Sequence, residues 1–161
     1  MAVSAEQARF RAATAADVPA LLSMMRQLYA EDGGRFEPAP AEKALRGLLA
    51  DPSLGAAWIV EDEDGACGYV VMTVGYSLEF HGRDAFVDEL FVSRGRRGQG
   101  LGAQALALVE GECRARGVHA LHLEVTPSNE PALGLYRRHG FELRGRSLMT
   151  KPVERKQDGP W

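Results

Sequence analysis

Phe86-Val87-Asp88-Glu89-Leu90-Phe91-Val92 runs directly into Ser93-Arg94-Gly95-Arg96-Arg97-Gly98-Gln99-Gly100-Leu101-Gly102. The first half is rich in apolar and aromatic residues, as a strand requires. Beyond the glycines, Leu101, Ala105, Leu108 and Val109 fall on one face at helical spacing. The chain therefore passes from strand through a glycine turn into a helix. The start of such a helix presents free N–H groups and about half a positive charge, a setting suited to phosphate or pyrophosphate. Gly98, Gly100 and Gly102 remove Cβ atoms and let a ligand approach the backbone. Arg94, Arg96 and Arg97 add permanent cations able to make bidentate bonds to phosphate oxygens.

Several chemistries compete for this loop. A solvated turn explains the glycines but not three arginines beside a helix start. Gly98-Gln99-Gly100-Leu101-Gly102-Ala103 satisfies the dinucleotide pattern G-x-G-x-x-G/A, and Glu124 ends the next strand at a tolerable distance. Only one βαβ unit surrounds it, however. A Walker A loop fails, because no Lys-Ser or Lys-Thr follows the glycines. Few aromatics interleave with the arginines, which argues against a nucleic-acid patch.

Working outward, Ala57 to Val60 and Gly68 to Val74 read as strands joined by the acidic turn at Asp62 to Gly65. Before them, Phe10 to Ala13 is a short strand and Thr14, with Asp17 three residues on, marks a helix start. Val18, Leu21, Leu22, Met25 and Tyr29 carry that helix to about Ala30, and Leu45, Leu48 and Leu49 mark a second, closed by Asp51-Pro52. After the glycine loop, the helix ends at Gly117, Leu121 to Val125 forms a strand, and Asn129 caps a helix ending at Gly140. Phe141 to Leu143 and Ser147 to Lys151 are expected to close the sheet. The order β-α-α-β-β-β-α-β-α-β-β combines an antiparallel half with one βαβ unit. The expected class is α+β, a mixed and mostly antiparallel central sheet with helices on both faces. Residues 1–153 are expected to form one domain, with 154–161 as a flexible tail.

Composition bounds the function. The 161 residues carry 22 acidic and 19 basic side chains, so a net charge of -3 makes no general case for nucleic acid or membrane. No apolar run reaches the roughly 20 residues of a membrane helix, and Met1 to Gln7 lacks a signal-peptide layout. A cytoplasmic protein is the expectation, with Cys67 and Cys113 as buried thiols rather than a disulfide or an acyl-enzyme nucleophile. His81, His119, His122 and His139 show no metal-ligand spacing, and no metal is expected. His81, His119 and His122 remain secondary candidates for a base, and His139 is expected to decorate a helix end.

A second motif lies nearer the C-terminus: Asn129-Glu130-Pro131-Ala132-Leu133-Gly134-Leu135-Tyr136, then Arg137-Arg138-His139-Gly140-Phe141. It is similar to N-x-x-A-x-x-L-Y-x-x-x-G-F of the GNAT superfamily of N-acetyltransferases, with every fixed letter present. Arg97-Gly98-Gln99-Gly100-Leu101-Gly102 matches that superfamily's (Arg/Gln)-x-x-Gly-x-(Gly/Ala), and the element order matches too. The resemblance spans about Arg9 to Pro152. It implies acetyl-CoA as co-substrate, with the amides of the loop from Arg97 through Gly98, Gln99, Gly100, Leu101 and Gly102 to Ala103 holding the pyrophosphate. It further implies that Leu90, Phe91 and Val92 pair through their backbone with the pantetheine arm, and that Asn129 contacts the same arm. Tyr136 would sit near the thioester sulfur and protonate the departing thiolate. A homodimer is the family's habit.

An amine is mostly protonated at neutral pH, so its transfer needs a base, direct or through water. Asp88 and Glu89 are charged residues inside an apolar strand, a costly placement unless they are partnered or used. A regular strand points them to opposite faces, and a bulge changes which one reaches the cleft. Glu89, with the longer arm, is the first choice, and Asp88 stands beside it. No Ser/His/Asp or Cys/His pattern emerges, so direct transfer within a ternary complex is expected. In the superfamily the acceptor lies by the first two helices and the loop before the fourth strand, here Tyr29, Glu31, Asp32, Phe36, Glu37, Tyr76, Glu79 and Phe80. Acidic and aromatic residues suit a cationic acceptor: a small polyamine-like or amino-acid amine, or a peptide N-terminus. A non-catalytic acyl-CoA-binding module is the alternative, with a dinucleotide-binding enzyme behind it.

Overall fold

The computed structural model describes residues 8–153. Strand β1 (Arg9–Ala12) leads through a 3-10 turn (Ala15–Asp17) into helices α1 (Val18–Asp32) and α2 (Pro38–Ala50). Next come strands β2 (Gly55–Asp62), β3 (Gly65–Ser77) and β4 (Gly82–Val92), then α3 (Leu101–Ala115), β5 (Ala120–His122) and α4 (Glu130–Arg138). The sheet runs β1-β2-β3-β4-β5. Its first three pairings are antiparallel and β4–β5 is parallel.

The strand pleat sorts the core into two layers. Ala57, Ile59, Tyr69, Val71 and Phe91 face α1 and α2, where they meet Leu21, Met24, Met25 and Leu45. Trp58, Val70, Met72, Ala85 and Val87 face the other way, against Ala105, Leu106, Val109 and Cys113 of α3. Helices therefore cover both faces, as the sequence pattern requires. Cys67 and Cys113 are buried free thiols, as expected. Thr14 N donates to Asp17 Oδ2 at 2.7 Å, and Arg11 bridges Asp17 and Glu61, which fixes the first strand to the helix entrance. Helix α1 runs two residues beyond its expected end, to Asp32, and is capped by Gly33 in the left-handed region at φ 72°.

Two features of β4 shape the site. Val71 pairs with Glu89 but Met72 pairs with Val87, so Asp88 is the extra residue of a β-bulge. The ladder with β5 covers only Asp84 to Phe86. Beyond it a cavity of about 170 Å³ separates Val87–Leu90 from Leu123–Thr126.

Two expectations need correction. The strand expected over Leu121–Val125 is Ala120–His122, and Phe141–Leu143 and Ser147–Lys151 form no strand among the described residues. A three-residue edge offers too few ladder bonds to offset the roughly 1–2 kcal/mol per residue that ordering costs. Side chains hold the segment instead: Arg144 and Arg146 both bond Glu79 at 2.9 Å, and Arg144 lies over the Phe80 ring. The expected tail, 154–161, lies outside the described residues.

Candidate active site

The glycine loop and the second motif meet across one cleft of about 740 Å³. One wall is Leu90, Phe91 and Val92, the floor is Arg97, Gly98, Gly100 to Ala103, and the far wall is Asn129 and Tyr136. Every expected coenzyme residue lines it except Gln99, which is exposed on the outside of the turn. Gly98 and Gly100 take φ 76° and 80°, a conformation that side-chain-bearing residues avoid, and a Cβ on Gly98 would meet open space. The first helical amide satisfied within the chain is Gln104, bonded to Gly100 O at 3.0 Å. The amides of Leu101, Gly102 and Ala103 have no carbonyl one turn back, which leaves a cradle for an anion at the head of α3. The residues present thus fit a coenzyme A pyrophosphate.

The three arginines are already engaged. Arg97 donates to Val92 O at 2.8 Å and pairs with Glu31 at 2.7 Å, while Arg94 also reaches Glu31 at 3.1 Å. Arg96 pairs with Asp62 and Asp64, both at 2.7 Å. These bonds brace the loop against α1 and the β2–β3 turn. Their guanidiniums are shared with carboxylates rather than left bare for phosphate, a correction to the simple reading of three free cations. Hydrogen bonding from Arg97 holds the Glu31 carboxyl below its usual range.

Next to the cleft, the 170 Å³ chamber is lined by Asp32, Asp88, Glu89, Glu124, Asn129 and Tyr136, among others. Asn129 Oδ1 accepts from Ala132 N at 3.2 Å and so caps α4. Tyr136 stacks edge-on against Phe141, and burial, followed by the charge of Asp32, raises its phenol pKa. Among the described residues no hydrogen-bond partner meets its hydroxyl, and the side chain lines both the cleft and the chamber.

Glu89 is held by two phenols: Tyr29 donates to Oε1 at 2.7 Å and Tyr69 to Oε2 at 2.9 Å. Burial pushes its pKa up, the two phenol bonds pull it down, and the balance is upward. Asp88, one residue earlier on the bulge, is exposed to the chamber with no bonded partner among the described residues. The protein walls around it displace water and raise its carboxyl as well. Because of the bulge, both carboxylates line the chamber and both line a third void of about 480 Å³ between α1, α2 and β3. Glu89 and Asp88 thus stand where two cavities join, and Tyr136 stands where the chamber joins the large cleft.

The sequence reading missed Tyr69. A tyrosine beside the aliphatic run Val70-Val71-Met72 was the available signal, since a buried phenol needs a partner. The acceptor-side residues are largely dispersed. Glu31 and Asp32 line the large cleft, Glu79 holds the C-terminal arginines, Arg35 pairs with Glu37 at 3.4 Å, and only Tyr29 lines the 480 Å³ pocket. No histidine lines the chamber of Asp88 and Glu89: His122 meets Asp84 at 3.3 Å, His119 meets Phe80 O at 2.9 Å, and His139 lines the large cleft.

No helix among the described residues is long and apolar enough to cross a membrane. A single parallel pair in an antiparallel sheet also removes the doubly wound dinucleotide reading. Comparison with known proteins agrees. An L-methionine sulfoximine/L-methionine sulfone acetyltransferase of Pseudomonas aeruginosa is 28% identical over 86% of this chain and 82% of its own length. Streptothricin acetyltransferase of Streptomyces lavendulae is 39% identical over 63% of this chain and 64% of its own. The crystal structure of an integron cassette protein from the mobile metagenome of Cole Harbour Salt Marsh superposes with TM-score 0.81, at 37% identity and 91% coverage of both chains. Residues 22–141 match the acetyltransferase (GNAT) family; the chain belongs to that family and is an N-acetyltransferase that uses acetyl-CoA.

Proposed function

We propose that this enzyme acetylates the primary amine of a small molecule by direct transfer, in a ternary complex, without an acyl-enzyme. Acetyl-CoA, when bound, supplies the acyl group as a thioester. The loop amides from Gly98 to Ala103 would hold its pyrophosphate, and the backbone of Leu90 to Val92 with Asn129 would hold the pantetheine arm. Asp88 docks the acceptor's ammonium group. Glu89, oriented by Tyr29 and Tyr69, takes its proton through water, and the Tyr136 hydroxyl provides the proton for the leaving sulfur. Cys67 and Cys113 are buried in the core, which leaves them no part in the transfer. The two curated relatives are named for small-molecule acceptors, which supports a small acceptor here. We further propose that residues 1–153 form one catalytic domain with 154–161 as its tail, and that the enzyme works in the reducing cytoplasm.

The observation that carries this reading is the position of Glu89 between the chamber and the 480 Å³ pocket, with both its oxygens bonded to phenols. The test has two parts. Acetyl-CoA should raise the melting temperature, increasingly with the logarithm of its concentration above Kd, and NAD should not. An amine panel should then release free thiol stoichiometrically with N-acetyl product. Stabilisation by NAD alone, or coenzyme binding with no acetylated amine from any class, would overturn it.

A further inference from the structure

We infer that the acceptor is a lipophilic monoamine that carries no carboxylate, its amine at Glu89 and Asp88 and its body in the pocket between α1, α2 and β3. The inference rests on the transferase reading above and narrows it to a class of substrate.

Charge is the first argument. The chamber where the amine must meet the thioester is lined by four carboxylates, Asp32, Asp88, Glu89 and Glu124, and by no Arg, Lys or His. The 480 Å³ pocket beyond it has no basic residue in its lining either. An ammonium group is drawn to such a place. A free α-amino acid holds its carboxylate one carbon from the nitrogen, so that group cannot leave the acidic chamber while the amine is in position. It would stand among like charges with no cation to pair it.

The walls supply the second argument. Leu21, Met25, Leu45, Leu48, Leu54 and Val74 make the pocket aliphatic, and its two phenols, Tyr29 and Tyr69, are turned toward Glu89. The acidic pair lies at one end, opposite Val71, whereas Thr73 and Val74 lie two and three residues along β3, about 7–10 Å away. A second ammonium at that depth would find no carboxylate, so short diamines are excluded along with amino acids. The volume, about 480 Å³, is in the range that takes a ring and a short chain. Under this proposal the polyamine and the free amino acid, both suggested by the sequence, are poor acceptors, which sets this chain apart from the relative named for L-methionine sulfoximine.

The test is steady-state kinetics of the full chain at saturating acetyl-CoA, following thiol release with phenethylamine, phenylalanine, phenylalaninamide, butylamine and putrescine. Phenethylamine should exceed phenylalanine in kcat/KM by on the order of 100-fold. Phenylalaninamide, which keeps the size of the carboxylate but not its charge, should recover to within about tenfold of phenethylamine, and butylamine should exceed putrescine by about tenfold or more. Phenylalanine matching phenethylamine, or putrescine matching butylamine, would overturn the acceptor class and leave the transferase reading intact. Thiol release with no amine would overturn both. A variant checks the location independently. Gly47 lines the pocket, and a Cβ there meets nothing within 4 Å, so Gly47→Phe introduces a side chain at this wall without backbone strain at its first carbon. It should raise KM for phenethylamine about tenfold while leaving KM for acetyl-CoA and for methylamine unchanged. No change for phenethylamine would show that the pocket does not receive the acceptor's body.

Discussion

The coenzyme cleft and the proposed acceptor pocket draw on successive stretches of β4, Leu90–Val92 and Asp88–Glu89, and they are built in opposite ways. The cleft draws its lining chiefly from two short runs, residues 90–103 and 129–139, and much of its recognition is backbone: positive-φ glycines and free amides at the head of α3. The pocket takes single side chains from α1, α2, β3 and β4, spread from Leu21 to Glu89. Backbone recognition demands glycines at fixed spacing and therefore leaves a readable pattern. Side-chain recognition demands only that certain atoms converge in space. A common ligand can be held by the first kind of site while acceptors diversify through the second.

The sharpest way to break this division is Glu89→Gln, which acts on the acceptor side alone. It should lower kcat by about 100-fold or more with KM for acetyl-CoA held within about twofold. Asp88→Asn should instead act mainly on the acceptor's KM, and reversed effects would exchange their roles. The sign for stability differs from the sign for activity. The folded pKa of Glu89 is raised, so its contribution to stability is present at low pH and lost as pH rises through that value. Glu89→Gln should therefore not lower the melting temperature at neutral pH, which thermal unfolding checks.

Tyr136→Phe, at the boundary between cleft and chamber, comes next. The loss of its hydroxyl should cost about 10- to 100-fold in kcat and little in coenzyme affinity. Equal losses in both would reduce it to a packing residue against Phe141. On the cleft side, Gly100→Val forces a branched residue to φ 80°. We expect about 1–2 kcal/mol of lost stability by chemical denaturation, a several-fold rise in KM for acetyl-CoA, and an unchanged ranking of amines. A changed ranking would show that the two sites are not separable.

The smallest effect sharpens the acceptor side. Tyr69→Phe removes one of the two donors that hold Glu89 in its charged form. The acid limb of the kcat/KM profile should move to higher pH while the plateau falls by less than about tenfold. An acid limb that stays put would separate Glu89 from the proton transfer.

The same contrast explains what could be read from the sequence. The order from β1 to α4 follows from periodicity and turn residues, and the cleft follows from Arg97 to Ala103 with Asn129 and Tyr136. The bulge at Asp88 was not legible, since nothing in Val87-Asp88-Glu89-Leu90 fixes which residue loses its partner on β3. Tyr69 was hidden because its role depends on a carboxylate 20 residues away. The ion pairs of Arg94, Arg96 and Arg97 were hidden for the same reason: Glu31, Asp62 and Asp64 reach them only once the chain has folded. The terminal strands failed for a different cause. Local composition favours them, but strand formation needs an edge of sufficient length, and that length is a property of β5.

The early parting of β4 from β5 has a thermodynamic consequence. From Val87 onward one margin of the sheet faces a void instead of a neighbouring strand, so a molecule seated there would close a seam that the polypeptide leaves open. Saturation with coenzyme and rigidity of the α4 flank then become linked quantities. A shortfall of thioester in the cell would be felt by this enzyme as a loosening of its structure as well as a lower rate.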